Sequence, residues 1–553
     1  MSEPRSVNRR DFLKHSAGAA FAFTIVPRHV LGGQGQTPPS EKFGGALIGC
    51  GGRGPGTFGQ MKGWGLEVDL LAACDVHKGR MNNIASRHPG CKGYTDFRRV
   101  LERKDIDIVA IGTPPHWHAL ISIMAMEAGM DVLCEKPATK YIAEGRAIAR
   151  GNGRAYGDSA LSATNTLDMR RLNRMLEFDP GTGQLVAEAG VLLGDVIAAF
   201  LPRGWFPHVT PGTRFVTLGG AIAADVHGKN HHKDGSFGAY VDWIDLIGPD
   251  GMARRCSATE NADLFGWTVG GMGLTGVIAR AAIRLRPVTT GWIAQQTVPT
   301  TTLEDTLDVF EGTLDATYSV GWVDCLATGA QAGRSLVMLG EHAAPGDLPP
   351  KLRAAPFDTP RRKRRSVPLD LPGFVLTPAA MRAFNAAYYR AGQRRAGHTL
   401  VDWDSYFYPL DSIGRWNRIY GRNGFMQFQC VLPLDRSLAG LTRLLDAIAA
   451  SGQGSFLSVL KRFGPQESRF SFPMEGYTLA LDFPRTRRSQ ALMPDLDRIT
   501  LDHGGRFYLA KDSRMSAETL AAADPRAEAF KAMRAAAALP PAFASAQSER
   551  LKL

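Results

Sequence analysis

The sequence predicts two unlike folds in one chain: a short parallel α/β unit over residues 42–145, and an α+β unit over residues 146–553 that contains an antiparallel sheet covered by helices. Three observations predict this. Short apolar runs, Phe43–Ile48, Val68–Cys74, Ile106–Gly112 and Asp131–Cys134, each stop at a glycine-rich or polar turn, as strands of a buried parallel sheet do. Glycine clusters then recur at 151–157, 211–220 and 270–276. Finally, a strand-like run, Phe425–Pro433, precedes an amphipathic run, Leu438–Ala450.

Length and composition bound the reading. The 553 residues suffice for several cores, and 44% hydrophobic with 21% charged residues is ordinary for a globular protein. The net charge of +12 and pI near 9.4 favour anionic partners. No zinc finger, basic zipper or aromatic RNA-binding motif accompanies that charge, so an anionic cofactor and substrate explain it better than nucleic acid. The seven cysteines are scattered without a CxxC, which argues against a disulfide scaffold or a zinc site.

The N-terminus, residues 1–41, begins with Asn8-Arg9-Arg10-Asp11-Phe12-Leu13-Lys14 and an apolar stretch from Ala17 to Val26, too short to span a bilayer. It resembles a twin-arginine export signal. That implies a periplasmic or membrane-associated protein, with a cytoplasmic location as the alternative. No A-x-A cleavage site follows, which leaves an uncleaved anchor open.

In the first unit, strand Phe43–Ile48 leads into Gly49, Gly51 and Gly54, a G-x-G-x-x-G. The first glycine makes the turn, the second admits a pyrophosphate, and the third lets the next helix pack on the strand. Asp75 ends the second strand at the spacing of a carboxylate that accepts ribose hydroxyls. The fourth strand ends at Glu135-Lys136-Pro137. These residues resemble the NAD(P)-binding Rossmann domain of Gfo/Idh/MocA oxidoreductases. The resemblance places Lys136 beside the nicotinamide; the alternative is a residue that merely ends a strand. The large sheet domain that follows in that family has no counterpart, so the Rossmann unit is truncated.

The second unit carries Gly151-Asn152-Gly153-Arg154-Ala155-Tyr156-Gly157-Asp158, then Pro211-Gly212-Thr213-Arg214-Phe215-Val216-Thr217-Leu218-Gly219-Gly220, Val226-His227-Gly228-Lys229, Gly270-Gly271-Met272-Gly273-Leu274-Thr275-Gly276, and Ala510-Lys511-Asp512-Ser513-Arg514. Such glycine-rich loops let backbone amides approach a diphosphate closely. The ordered set resembles FAD-linked oxidases of the vanillyl-alcohol-oxidase type, with a PCMH-type FAD-binding domain, and within them the decaprenylphosphoryl-β-D-ribose 2′-oxidases. The resemblance divides the chain into an FAD domain at 146–291, a substrate domain at 292–505, and a return to the FAD domain at 506–553.

That resemblance implies oxidation of a sugar hydroxyl, C2′ of a polyprenylphosphoryl pentose, in cell-wall arabinan precursor epimerisation. A separate NAD-dependent keto-sugar reductase is the implied partner. By the same resemblance Lys511, Tyr156, Lys229, Gln427 and Gln429 act on substrate and flavin, with Trp322 in the same cavity. FAD would be held by Gly151, Gly153, Arg154, Tyr156, Gly157, Asp158, Pro211, Gly212, Thr213, Thr217, Gly219, Gly220, His227, Gly228, Gly273, Thr275, Gly276 and Lys511. His227 falls where many such oxidases bond the flavin covalently; contact, not linkage, is expected here. A metal site at His227, His231 and His232 is disfavoured, since no cysteine or acidic cluster has matching spacing. The basic run Arg361–Arg365 reads as a solvated loop, or alternatively as a contact for anionic membrane.

Departures qualify the sugar specificity. Thr478 and Ala480 stand where mycobacterial relatives have Asn and Cys, and Ala155 where Ser is usual. The strand–helix–strand that opens the FAD domain is missing. Residues 142–150 would continue as a helix in one family, whereas 146–150 would be the final strand of the opening unit in the other, a local conflict at a point where two genes could recombine. Two further readings therefore stay open: an NAD(P)-binding module with an inert flavin half, and a chimeric product without catalysis.

Overall fold

The computed structural model describes residues 42–63, 65–136, 147–360, 362, 365–539 and 542–553. The twin-arginine motif, most of the seam string, and Arg361, Lys363 and Arg364 of the basic run lie outside these residues. The chain forms two compact units that divide after Lys140.

The first unit is a five-stranded parallel sheet of order β3-β2-β1-β4-β5, built from β1 (Phe43–Ile48), β2 (Val68–Cys74), β3 (Lys92–Tyr94), β4 (Ile108–Ile111) and β5 (Asp131–Cys134). Ala46, Ile48, Val109 and Ile111 are buried in a core on one face, and Leu47, Leu70 and Ala110 in a core on the other. The expected strand Ile106–Gly112 is shorter at both ends. Ile106 is a buried lead-in, and Gly112 already belongs to the turn, where its amide donates to Ile48 O at 2.8 Å.

The second unit holds two larger sheets. A six-stranded sheet runs β12-β11-β13-β9-β8, with β10 on β13; its strands are β8 (Met175–Asp179), β9 (Gln184–Glu188), β10 (Trp205–Pro207), β11 (Val241–Ile247), β12 (Ala253–Ser257) and β13 (Val277–Pro287). An eight-stranded antiparallel sheet runs β18-β14-β16-β15-β21-β22-β20-β23. It comprises β14 (Trp292–Thr300), β15 (Tyr318–Val323), β16 (Ser335–His342), β18 (Gly397–Asp402), β20 (Phe425–Pro433), β21 (Ser458–Phe463), β22 (Gly476–Pro484) and β23 (Arg506–Phe507). A parallel pair joins β17 (Arg365–Ser366) to β19 (Ile413–Gly414). The amphipathic run is the helix Ser437–Ser451, which buries Leu441, Leu444, Leu445 and Ile448 against one face of the eight-stranded sheet.

Of the seam string, Ala147–Arg150 is a strand, β6, parallel to β7 (Asn165–Asp168). Its other side meets the C-terminal segment, where Ala147 N donates to Ala542 O at 2.9 Å. The helical reading of these four residues gives way because their backbone partners are remote in sequence. All four residues of β7 are exposed. Among the described residues no helix is long and apolar enough to cross a membrane.

Candidate active site

One large cavity, about 1170 Å³, opens in the second unit. One wall is backbone: Gly151, Gly153, Gly157, Gly212, Gly219, Gly220, Gly273 and Gly276 all face it. Gly157 illustrates why side chains are excluded. A Cβ there would stand 1.9 Å from Asp512 O, because the C-terminal return packs directly on the 151–158 loop. Tyr156 N donates to Ala510 O at 2.9 Å in the same junction. At Gly212 nothing lies within 4 Å of an added Cβ, so the backbone there borders open space.

The opposite wall follows from strand periodicity. In β20, Gln427 and Gln429 face the cavity while Met426, Phe428 and Cys430 enter the core. In β22, Thr478 and Ala480 face it while Leu479 and Leu481 enter the core. Val459 and Lys461 of β21 and Val320 and Trp322 of β15 complete the face. The registers Gln429↔Ala480, Lys461↔Thr478 and Trp322↔Val459 set these residues side by side.

Three lysines converge on this space. Lys511 sits in the turn Leu509–Lys511 after β23, its ammonium 3.8 Å from the centre of the Tyr156 ring. Lys229 lies 4.0 Å from the Tyr406 ring centre and donates to Tyr406 O at 2.5 Å. Lys461 Nζ is 3.5 Å from His227 Nδ1. All three are exposed only in part and line the cavity. Burial lowers Lys229 to about 7 and Lys461 to about 8, and it lowers Lys511 as well. Asp482 is 0% exposed and accepts a hydrogen bond from Gln427 Nε2, while its Oδ2 has no hydrogen-bond partner. Burial raises its carboxyl, and the positive charge of Lys511 opposes that rise. Burial keeps His227 neutral; its Nε2 is 3.0 Å from Gln429 Nε2.

Most of the expected residues meet here. Lys511, Tyr156, Lys229, Gln427, Gln429, Trp322, His227, Arg154, Pro211, Thr213 and Thr217 all line the cavity. Three do not. Asp158 pairs with Arg550 at 2.7 Å, and Arg550 also holds Asp512, so the carboxylate braces the C-terminal return. Thr275 is buried and donates to Thr268 Oγ1 at 2.9 Å. Gly228 packs beside Asn230 and Thr210. Sequence reasoning missed Lys461 and Asp482. The available signal was a charge inside a strand: Asp482 alone in β22, and Lys461 beside Arg462 in β21. Among the described residues no three His, Cys, Asp or Glu side chains group as metal ligands.

The cavity fits FAD in chemistry. A Cβ-free backbone wall suits a diphosphate, and partly neutral buried lysines suit a cofactor that gains negative charge when it accepts electrons.

In the first unit, a Cβ on Gly54 would lie 1.9 Å from Gly49 O, so the third glycine is the close helix–strand contact. Around Gly51 the nearest atom to an added Cβ is Arg80 Nη1 at 3.4 Å, which leaves this turn open. Asp75 does not wait with a bare carboxylate: its oxygens accept the Cys50 and His77 amides, both at 2.8 Å, and so clamp the glycine turn. Glu135 accepts from Thr57 Oγ1, and Lys136 is exposed at the end of β5.

Comparison with known proteins agrees with both units. Residues 140–257 match the FAD binding domain family, and residues 43–152 match the oxidoreductase family with the NAD-binding Rossmann fold; the two matches overlap at the seam. The chain is 38% identical over 414 residues to decaprenylphosphoryl-beta-D-ribose oxidase of Mycolicibacterium smegmatis, covering 73% of this chain and 89% of that protein. It is 34% identical over 368 residues to an uncharacterized protein of Streptomyces coelicolor, covering 64% of this chain and 97% of that one. A glycosyl hydrolase family 109 protein of Shewanella baltica is 29% identical over 162 residues, which are 25% of this chain and 35% of that protein. The chain belongs to the decaprenylphosphoryl-β-D-ribose oxidase family of FAD-linked oxidoreductases acting on CH–OH groups, and carries ahead of it an NAD-binding Rossmann unit of the Gfo/Idh/MocA type.

Proposed function

We propose that the protein oxidises a sugar hydroxyl to a ketone, with C2′ of a polyprenylphosphoryl pentose as substrate. The observation that carries this is the convergence of Lys229, Lys461 and Lys511 with neutral His227 opposite a glycine backbone wall. Oxidation removes a hydride from carbon and a proton from oxygen. Bound FAD supplies the hydride acceptor. Lys511, with its basicity lowered by burial, takes the hydroxyl proton as a neutral amine and then stands as an ammonium beside the new negative charge. Lys461 and Lys229 add positive charge to the same space, while Gln427 and Gln429 orient the sugar. A separate NAD-dependent reductase would consume the ketone and complete an epimerisation. The motif at Arg9-Arg10 supports a site of action at or beyond the membrane.

The test is anaerobic mixing of the FAD-loaded protein with decaprenylphosphoryl-β-D-ribose. Bleaching of the flavin band is expected; an unchanged band, or protein that cannot be loaded with FAD, would overturn the reading.

A second activity is favoured by the open glycine turn at Gly51 and its clamp by Asp75. On this reading the first unit binds NAD(P) without turnover. Titration of NADH fluorescence tests it, and no binding at millimolar cofactor would exclude it.

A further inference from the structure

The cavity has an arm that the oxidation chemistry does not use. It runs between the eight-stranded sheet and the helix Pro378–Gln393 and is lined by Trp322, Leu336, Met338, Tyr388, Gly392 and Arg395. The helix lies close to the sheet here, since a Cβ on Gly392 would stand 2.1 Å from Leu336 Cδ1. Tyr388 packs on Trp322 with ring centres 4.7 Å apart. Outside the arm the aromatic surface continues. Phe384 stacks near Tyr388 at 6.0 Å and meets Phe456 edge-on at 4.8 Å. Phe384 and Tyr388 are each 43% exposed, an unusual cost for two adjacent large rings.

Phe384, Tyr388, Ala391 and Arg395 follow one stripe of helical spacing. The stripe thus reads aromatic, aromatic, small, cationic. Arg394 and Arg395 are exposed, and among the described residues no carboxylate pairs with either. Arginines at a helix C-terminus complement the helix dipole. The dipole explains neither the exposed rings nor the continuity of the stripe with the cavity.

We propose that this stripe is the subsite for the phosphoryl group and the first isoprenoid units of the substrate. Arg395, with Arg394 beside it, binds the phosphoryl oxygens at the rim. Tyr388 and Phe384 carry the apolar chain out along the helix, and the sugar points inward toward Lys511. An arginine matches phosphate in geometry as well as charge, and ring faces bury a branched chain at little entropic cost. The inference rests on the substrate class proposed above and narrows where that substrate lies.

The test uses the FAD-loaded full chain and equilibrium binding of farnesyl monophosphate, which has no sugar and cannot react. Inorganic phosphate and farnesol are the comparison probes. Farnesyl monophosphate should bind at least tenfold more tightly than either probe, since both halves of the stripe are then engaged. The R394A/R395A variant should lose about tenfold or more of that affinity, R394K/R395K should recover part of it, and F384S/Y388S should lose the preference over inorganic phosphate. Retained flavin absorbance shows that each variant is folded. Equal affinity in wild type, R394A/R395A and F384S/Y388S, or no binding of farnesyl monophosphate at all, overturns the subsite. Flavin bleaching by the ribosyl substrate is scored separately. A protein that binds farnesyl monophosphate through this stripe but is not bleached keeps the subsite and loses the oxidase reading.

Discussion

Lys511 and Tyr156 meet as ammonium and ring face, 3.8 Å from nitrogen to ring centre, although they lie 355 positions apart. The contact joins the glycine loop of the FAD wall to the C-terminal return. It also keeps the amine's position independent of a carboxylate partner, since a ring face attracts the cation without fixing its proton. Lys511→Ala is expected to keep FAD, which the backbone wall holds, and to lose flavin reduction by substrate about 10²–10³-fold. Tyr156→Phe preserves the ring and should change the rate far less. Anaerobic bleaching rates of the three proteins check this; equal rates in wild type and Lys511→Ala would remove Lys511 from the chemistry.

Asp482 acts on Lys511 through charge. The carboxylate favours the ammonium form, opposing the burial that lowers the amine. Asp482→Asn removes that opposition, so Lys511 should lose its proton at lower pH than in wild type. If the neutral amine is the base, flavin reduction rises with pH as the amine deprotonates, and the rise should move to lower pH in the variant. The charged and titratable groups that act on the pair, Lys461, His227, Tyr156 and Tyr420, are the same in both proteins. A pH profile with an unmoved inflection would show that Asp482 does not set the state of Lys511.

His227 has protein partners at both ring nitrogens, Gln429 at 3.0 Å and Lys461 at 3.5 Å. A covalent bond to flavin would need one of these nitrogens. FAD is therefore expected to leave the protein on acid precipitation, with the yellow colour in the supernatant. Colour retained in the pellet would mean that the ring turns and bonds the cofactor.

Much of the site was legible because it obeys short-range rules. The glycine loops at 151–157 and 211–220 and the alternation in Phe425–Pro433 announced a backbone wall and a sheet face. Lys511 came through its motif. Asp482, the one charge in its strand, and Lys461, one of two adjacent charges in its own, escaped because a charge within a strand shows its meaning only in register, and Thr478 stands between Lys461 and the strand that carries both glutamines. Asp158 and Thr275 sit in motifs yet brace the fold: Arg550 reaches Asp158 from the far end of the chain, and Thr275 turns back to Thr268 seven positions earlier. The seam was ambiguous for the same reason. Ala147–Arg150 suits helix or strand by composition, and hydrogen bonds from residues 165–168 and 542 decide it.

The lysines also fix a pH signature of stability. Burial pushes Lys229 and Lys461 down to about 7 and about 8 in the folded protein, from an ordinary value of 10.5. Between those limits the unfolded chain binds more protons than the folded one, so these two residues make stability rise with pH across that window. Below pH 7 both states are charged and the full penalty of burying the ammonium remains. Tyrosines and cysteines held above their usual values act in the opposite sense only as they ionise in the unfolded chain, from about pH 8.5 upward. The comparison is therefore best made between pH 7 and 8.5, on the FAD-free protein. Lys461→Met removes the charge and keeps the stem, so its melting temperature should exceed that of wild type at pH 7, with the gap narrowing toward pH 8.5. A gap that is constant with pH would mean that Lys461 is hydrated in the cavity and titrates normally.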